Sequence, residues 1–313
     1  MHDGPQRQPH DHSAHGHSAH GHSAPADTAV TRPDAVTPIA SDRILLAEDN
    51  PVNQKVATAM LEHLGFCVDV VDNGVEAVIA ATMVPYRAIL MDCQIPALNG
   101  YEATIEIRNT WGASRSSPII AVTSSVTETD QKRGRAAGMD GFLAKPLSLE
   151  SLSAGMARWA PDPSRPAPSV FPAETSPAGN DSLADAIDPD RPALDSEVVG
   201  RLERLGAAAG EDLMGQLTAL FLTDADTQID ALRDAFARDD GPALMSLAHT
   251  MCGASANLGA AELARLCARL ATDGAVGGVE DVNALLRSLE AELDRVRCAL
   301  MSPAASRMPT LLP

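Results

Sequence analysis

The rhythm of apolar and polar positions changes twice along this chain. The first forty or so residues show no apolar period. From Arg43 to about Ala160, short apolar runs alternate with helical patterns. Arg43-Ile44-Leu45-Leu46-Ala47 reads as a strand, followed by a helix pattern from Val52 to Leu64 that Gly65 stops. Phe66 to Val71 reads as a second strand, with a helix through Ala81. Three more strands follow: Ala88-Ile89-Leu90-Met91 runs into Asp92, Ile119-Ile120-Ala121-Val122 into Thr123, and Gly141-Phe142-Leu143-Ala144 into Lys145-Pro146. Near-continuous apolar runs are the mark of strands covered on both faces. Their alternation with helices predicts an α/β fold with a doubly wound, five-stranded parallel sheet. Ligands of such sheets sit at the C-terminal strand edge.

A second change of rhythm comes after a proline-crowded stretch running from Pro161 to Pro192. Such a stretch cannot supply a core and reads as a linker. Beyond it only helical periods remain, as in Leu213/Leu217/Leu220, Leu263/Leu266/Leu270 and Leu285/Leu289/Leu293/Val296/Leu300. They predict a separate all-α antiparallel bundle. The expected division is a tail (1–41), an α/β domain (42–160), a linker (161–193), a helical domain (194–301) and a short tail (302–313).

Composition narrows the function. The net charge of −18 argues against nucleic acid or anionic membrane as partner. The acidic excess is greatest in the helical segment. No apolar run approaches a membrane span, and the polar N-terminus has no apolar signal segment. The chain therefore reads as cytoplasmic. Its five cysteines are odd in number and form no C-x-x-C pair, which fits reduced thiols. All of the nine histidines but His63 and His249 lie in the N-terminal tail, where imidazoles repeat from His12 to His22. Such a tail can take up Zn²⁺ or Ni²⁺ weakly. A solvated low-complexity segment is the preferred reading.

The chemistry gathers at the predicted strand ends. Glu48, Asp49, Asp92, Thr123 and Lys145 all follow apolar runs. Three clustered carboxylates repel one another and call for a divalent cation, and hard oxygen ligands suit Mg²⁺, or Mn²⁺. A cation, an ammonium and a hydroxyl around one carboxylate suit phosphoryl transfer, which depends on positioning and charge neutralisation.

The segments LLAEDNPVNQKVA, ILMDCQIPALNGYEAT, IIAVTSSVTETD and AAGMDGFLAKPL resemble the receiver domain of two-component response regulators, with its flavodoxin-like fold. The resemblance implies that Asp92 accepts the phosphoryl group. Glu48, Asp49, Asp92 and the backbone carbonyl of Gln94 would hold the metal. Thr123 would be the switch hydroxyl, Phe142 the switch aromatic and Lys145 the partner of the phosphoryl oxygens. Asn99 stands where relatives often have Asp. Gln94 and Ser125 lie at positions that vary in the family and influence how long the phosphoryl survives.

In the helical segment one residue stands apart. The helix after Asp239-Asp240-Gly241-Pro242 has its apolar stripe at Leu244, Leu247, Met251 and Leu258. At about 100° per residue, His249 points away from that stripe and is expected in solvent. Gly253 and Ala256 share its face, with Ala248, Ala254 and Ser255 near by, giving a low surface that a second protein could approach. LAHTMCGASANLGAAEL resembles the core of a histidine-phosphotransfer domain, a four-helix bundle in which His249 would carry the phosphoryl group and Gly253 would open access to it. Cys252 stands where relatives commonly have Lys, so an ammonium that would aid transfer is missing.

His63 needs only the helix dipole to explain it, and Cys93 reads as packing. No Gly-rich phosphate loop is present, so the chain is not an ATP-dependent kinase. It is expected to take its phosphoryl group from a sensor histidine kinase, or through Mg²⁺-dependent self-phosphorylation. It would then pass that group between Asp92 and His249 and exchange it with another response regulator. Receiver followed by phosphotransfer domain resembles the C-terminal part of hybrid histidine kinases. A linker of about 30 residues would hold the domains at roughly millimolar effective concentration. The competing reading is a phosphorylation-dependent interaction switch, or a phosphate sink with no onward relay.

Overall fold

The computed structural model describes residues 42–124, 127–161, 191–273 and 279–302. The expectations placed on the His-rich tail, on Ser125 and on nearly all of the linker fall outside these residues.

Five strands, β1 (Arg43–Ala47), β2 (Cys67–Val71), β3 (Ala88–Asp92), β4 (Ile119–Thr123) and β5 (Gly141–Ala144), form one parallel sheet. Their order is β2-β1-β3-β4-β5, so the first crossover leads outward and the rest lead the other way. Asp92 is in register with Val122, and Thr123 with Ala144. The ends of β3, β4 and β5 therefore open at one edge. The sheet is doubly wound, as its apolar runs required. Ile44, Leu46, Leu90 and Ile120 face α1 (Pro51–His63) and α5 (Leu149–Trp159). Leu45, Ile89, Met91 and Ile119 face α2 (Gly74–Met83), α3 (Gly100–Asn109) and α4 (Glu128–Ala137).

Local chemistry sets the helix starts beside that edge. Asn50 has extended backbone, and its Oδ1 accepts from the N–H groups of Val52 (2.9 Å) and Asn53 (3.1 Å), while Pro51 occupies the first turn. Donors that would be orphaned at a helix start are thus satisfied. Asn99 does the same for α3, accepting from Tyr101 N (3.1 Å) and Glu102 N (3.0 Å). Asn and Asp cap a helix about equally well, which accounts for Asn99 in place of Asp. Gly100 is needed for another reason. A Cβ there would lie 2.1 Å from the backbone oxygen of Asp92.

The remaining elements are helices: α6 (Ser196–Ala209), α7 (Leu213–Ala237), α8 (Gly241–Asn257), α9 (Ala261–Asp273) and α10 (Val279–Leu300). α7 to α10 pack in sequence, and α10 returns to α7, which closes a four-helix ring. α6 is a fifth helix outside that ring. It packs between α7 and α1 of the sheet domain. One buried apolar cluster consequently runs from the α1/α5 face of the sheet into the bundle, through residues such as Met60, Leu205 and Leu213. Among the described residues all cysteines are free. None of the described helices is long and apolar enough to cross a membrane.

Gly100→Ala is expected to lower stability in urea by about 1–3 kcal/mol, because the Asp92 backbone cannot yield to the new methyl group. Gly241→Ala, where a Cβ would meet nothing within 4 Å, should stay within about 0.5 kcal/mol of the parent. Equilibrium urea unfolding of the two variants side by side checks the contrast.

Candidate functional site

The edge where β1, β3, β4 and β5 end holds the candidate site. Carboxylate oxygens of Glu48, Asp49 and Asp92 lie within 4.8 Å of one another. Glu48 and Asp92 are buried (4% and 2% exposed), and Asp49 is half-buried. The Lys145 ammonium enters from the loop after β5 and donates to Glu48 Oε2 and Asp92 Oδ2, both at 2.7 Å. Its backbone N–H donates to Thr123 O at 2.8 Å, tying that loop to the end of β4. The other Asp92 oxygen, Oδ1, accepts from the backbone N–H of Gln94 at 2.9 Å.

Three carboxylates face one ammonium, and the charge imbalance is felt in their protonation. Burial pushes Glu48 up to about 7 against the pull of Lys145. Burial and the charge of Asp92 push Asp49 up to about 6. Asp224 of α7 adds to the negative field at Asp49. Burial would lower the Lys145 pKa, but its two carboxylates outweigh burial, raise it and hold the ammonium firmly protonated. An all-oxygen donor set with excess negative charge, one member half open to water, fits a hard divalent cation.

Thr123 lies at the end of β4, 8% exposed. Phe142 is half-buried on β5 and packs against the α2/α3/α4 side of the sheet. Its ring occupies space left by Gly134 of α4, where a Cβ would lie 2.6 Å from the ring.

His249 comes to this edge from the bundle. Its phase on α8 is as expected, since Leu244, Met251 and Leu258 are buried behind it. Its exposure is not. The sheet domain covers it, leaving the imidazole half-buried with Nδ1 3.4 Å from Ser124 Oγ. Burial lowers its pKa, with Asp92 opposing and Lys145 reinforcing that shift. The shift favours the neutral imidazole over the charged form. The surface around it also needs correcting. Ala248, Ala254 and Ser255 are buried in the bundle. The low face consists of Gly253, Ala256 and Asn257.

That face rests on Asn53 of α1, a residue to which sequence reading gave no role. Asn53 donates to Glu48 Oε1 (2.8 Å), and its Oδ1 accepts from Asn257 Nδ2 (2.8 Å). A Cβ on Gly253 would lie 3.0 Å from Asn53 Nδ2. Lys55, also on α1, donates to Glu211 Oε2 at 3.1 Å. A small cleft bordered by Glu48, Asn53, Lys145 and Asn257 lies where the two parts meet. A polar residue just after a capped helix start was the one available signal for Asn53. Nothing in the sequence linked it to position 257.

Comparison with known proteins agrees with this architecture. A family model described as the response regulator receiver domain matches residues 44–156, and one described as the Hpt domain matches residues 216–299. Sensor protein GacS of Pseudomonas syringae pv. syringae is 33% identical over 248 residues, covering 77% of this chain and 26% of its own length. The chain thus spans about a quarter of that sensor protein. Two-component response regulator ORR41 of Oryza sativa subsp. japonica is 40% identical over 121 residues, which is 37% of this chain and 93% of the regulator. Among solved structures, the magnesium-bound receiver domain of sensor histidine kinase PA1611 from Pseudomonas aeruginosa PAO1 is 45% identical. That match covers 39% of this chain and 98% of that one, with a TM-score of 0.37. This chain belongs to the response regulator receiver family, and carries an Hpt domain after its receiver domain.

Proposed function

We propose that the protein is a phosphorelay component in which Asp92 and His249 carry the phosphoryl group in turn. One observation carries this reading: the buried Asp92 with its ammonium partner, and the imidazole of His249, face the same strand edge from two domains of one chain. In the first step an Asp92 carboxylate oxygen attacks the phosphorus of a partner's phosphohistidine. A P–O bond forms, the P–N bond breaks, and the partner's imidazole regains a proton from water. In the second step a ring nitrogen of His249 attacks the acyl phosphate. A P–N bond forms, the P–O bond breaks, Asp92 returns as a carboxylate, and the ring N–H proton leaves to solvent. With Nδ1 turned to Ser124, Nε2 is the attacking nitrogen.

Lys145 is placed to pair with the oxygens of the transferring group. A buried ammonium is a stronger electrostatic partner than one in water, and its position is already set before reaction. Glu48, Asp49 and Asp92, with the Gln94 carbonyl, would hold Mg²⁺. The metal when bound supplies neutralisation of the phosphoryl charge. Thr123 is the hydroxyl at the site, and Phe142 is the aromatic through which a change there would reach the surface. Gly253 keeps the approach to the receiver low. The source of the phosphoryl group is a sensor histidine kinase, and a separate response regulator exchanges it with His249.

The decisive experiment phosphorylates the full chain with acetyl phosphate and Mg²⁺, comparing the parent with Asp92→Ala and His249→Gln. Alkali-stable label on His249 that requires Asp92 is the expected result. Label confined to Asp92 would instead favour an interaction switch.

The electrostatics give a second expectation. The folded, metal-free protein retains protons on Glu48 and Asp49 that the unfolded chain releases at lower pH. Where the folded state binds more protons, stability falls as pH rises. Between about pH 4.5 and 7 these two groups therefore make the metal-free protein less stable as pH increases. Near pH 8 in chelator, Asp49→Asn should raise Tm by about 2–4 °C, the effect of roughly 1 kcal/mol. Adding Mg²⁺ should raise the parent's Tm and leave that of the variant nearly unmoved. Thermal melts with chelator and with Mg²⁺ measure both effects.

A further inference from the structure

One side chain at the junction of the two domains touches both the acidic pocket and the Hpt helix. Asn53 is 5% exposed. A carboxamide donates only from nitrogen and accepts only at oxygen. Glu48 Oε1, an acceptor when ionised, takes the Nδ2 side at 2.8 Å. Reversal would set Oδ1 against a carboxylate oxygen. The pocket therefore fixes the amide so that Oδ1 faces outward, and whatever lies opposite on α8 has to donate. Asn257 does so, at 2.8 Å.

The two amides meet in a confined space. Gly253 lies one turn before Asn257, and a Cβ at 253 would already lie 3.0 Å from Asn53 Nδ2. His249 lies one turn earlier still, about 12 Å from Asn257 along the axis. The helix thus meets the receiver at two places, at Ser124 through His249 and at Asn53 through Asn257. A helix is stiff over two turns, so holding its Asn257 end sets where His249 lies against the strand edge.

We propose that Asn53 and Asn257 are positioning residues for phosphoryl exchange between Asp92 and His249, forming an amide latch that sets the register of α8 on the receiver domain. This inference rests on the phosphorelay reading. Neither amide touches the transferring group, so their effect falls on the exchange step and not on charging of Asp92. Lys55–Glu211 is an outlying contact of the same interface (3.1 Å), with side chains 30% and 50% exposed, where an ion pair contributes little.

The test uses the full chain charged with acetyl phosphate and Mg²⁺, with quenched time points resolving label on Asp92 and on His249. Asn257→Ala is expected to slow the first-order transfer to His249 about five-fold, the effect of one hydrogen bond. Asn257→Asp should slow it more than ten-fold, because a carboxylate then faces the fixed Asn53 oxygen. Charging of Asp92 should not slow, and the melting temperature should stay at the parent value. Amide hydrogen exchange over Pro51–His63 should accelerate in both variants if they loosen docking, and this readout does not depend on transfer. A parent that relays, with both Asn257 variants relaying at its rate and exchanging like it, overturns the latch alone. A parent that never labels His249 overturns the phosphorelay reading and the latch with it.

Discussion

The ammonium of Lys145 is the interaction on which the rest depends. It bridges Glu48 and Asp92 at 2.7 Å to each, with its own side chain 10% exposed. Removing a charge from water is costly, and a buried carboxylate without a partner is costlier still. Two of the three acids at this edge share that one cation as their ion-pair partner. The compensation is incomplete, as the raised pKa values of Glu48 and Asp49 show. An edge left short of positive charge is what a site for a divalent cation requires.

That bridge also organises the approach of the second domain. Lys145 engages Glu48 through Oε2, and Oε1 is left to accept from Asn53. The orientation of Asn53, and with it the donor demanded of α8, follows from a charge arrangement several ångströms inside the receiver. Packing strengthens the connection. The apolar cluster behind α1 is continuous with the core of the bundle, so α1 serves as both wall of the receiver and floor for the Hpt helices. Small side chains at Gly253 and Ala256 let the polar contacts meet.

The sequence was most legible where burial and backbone geometry leave few alternatives. Continuous apolar runs ending on Glu48, Asp92, Thr123 and Lys145 identified both the sheet and the edge at which these residues gather. A strand covered on two faces has no other place for such residues. The orientation of His249, away from the buried stripe of α8, was legible from helical phase. Its half-buried state was not, because phase describes one helix against its own bundle and carries nothing about a second domain. Ala248, Ala254 and Ser255 were misjudged for a different reason: they lie at helical spacing with Leu244, Met251 and Leu258 and are buried with them in the bundle. Each is small enough to read as either an open surface or a tight helix contact, and here they are contacts. α6 lay within an amphipathic pattern assigned to the bundle, yet it bridges bundle and receiver. Asn53–Asn257 and Lys55–Glu211 join residues more than 150 positions apart, and no local period reports on such pairs.

Cys252 brings these threads together. An ammonium beside the histidine would steady a phosphoryl group there, and position 252 offers an uncharged thiol whose pKa is raised by burial. The charge that acts on both His249 and Cys252 is that of Lys145 on the receiver. Under the phosphorelay reading, the two acceptors then work beneath a shared cation, and the group moves between them without leaving its field. Coulomb energy falls with distance and with solvent between the charges. An Hpt domain that takes its positive charge from the docked receiver is equipped for transfer while docked and poorly equipped when apart. Under that reading, the uncharged residue at 252 and the close-fitting contacts at 253 and 257 belong to one arrangement, in which docking brings the receiver's cation to the histidine.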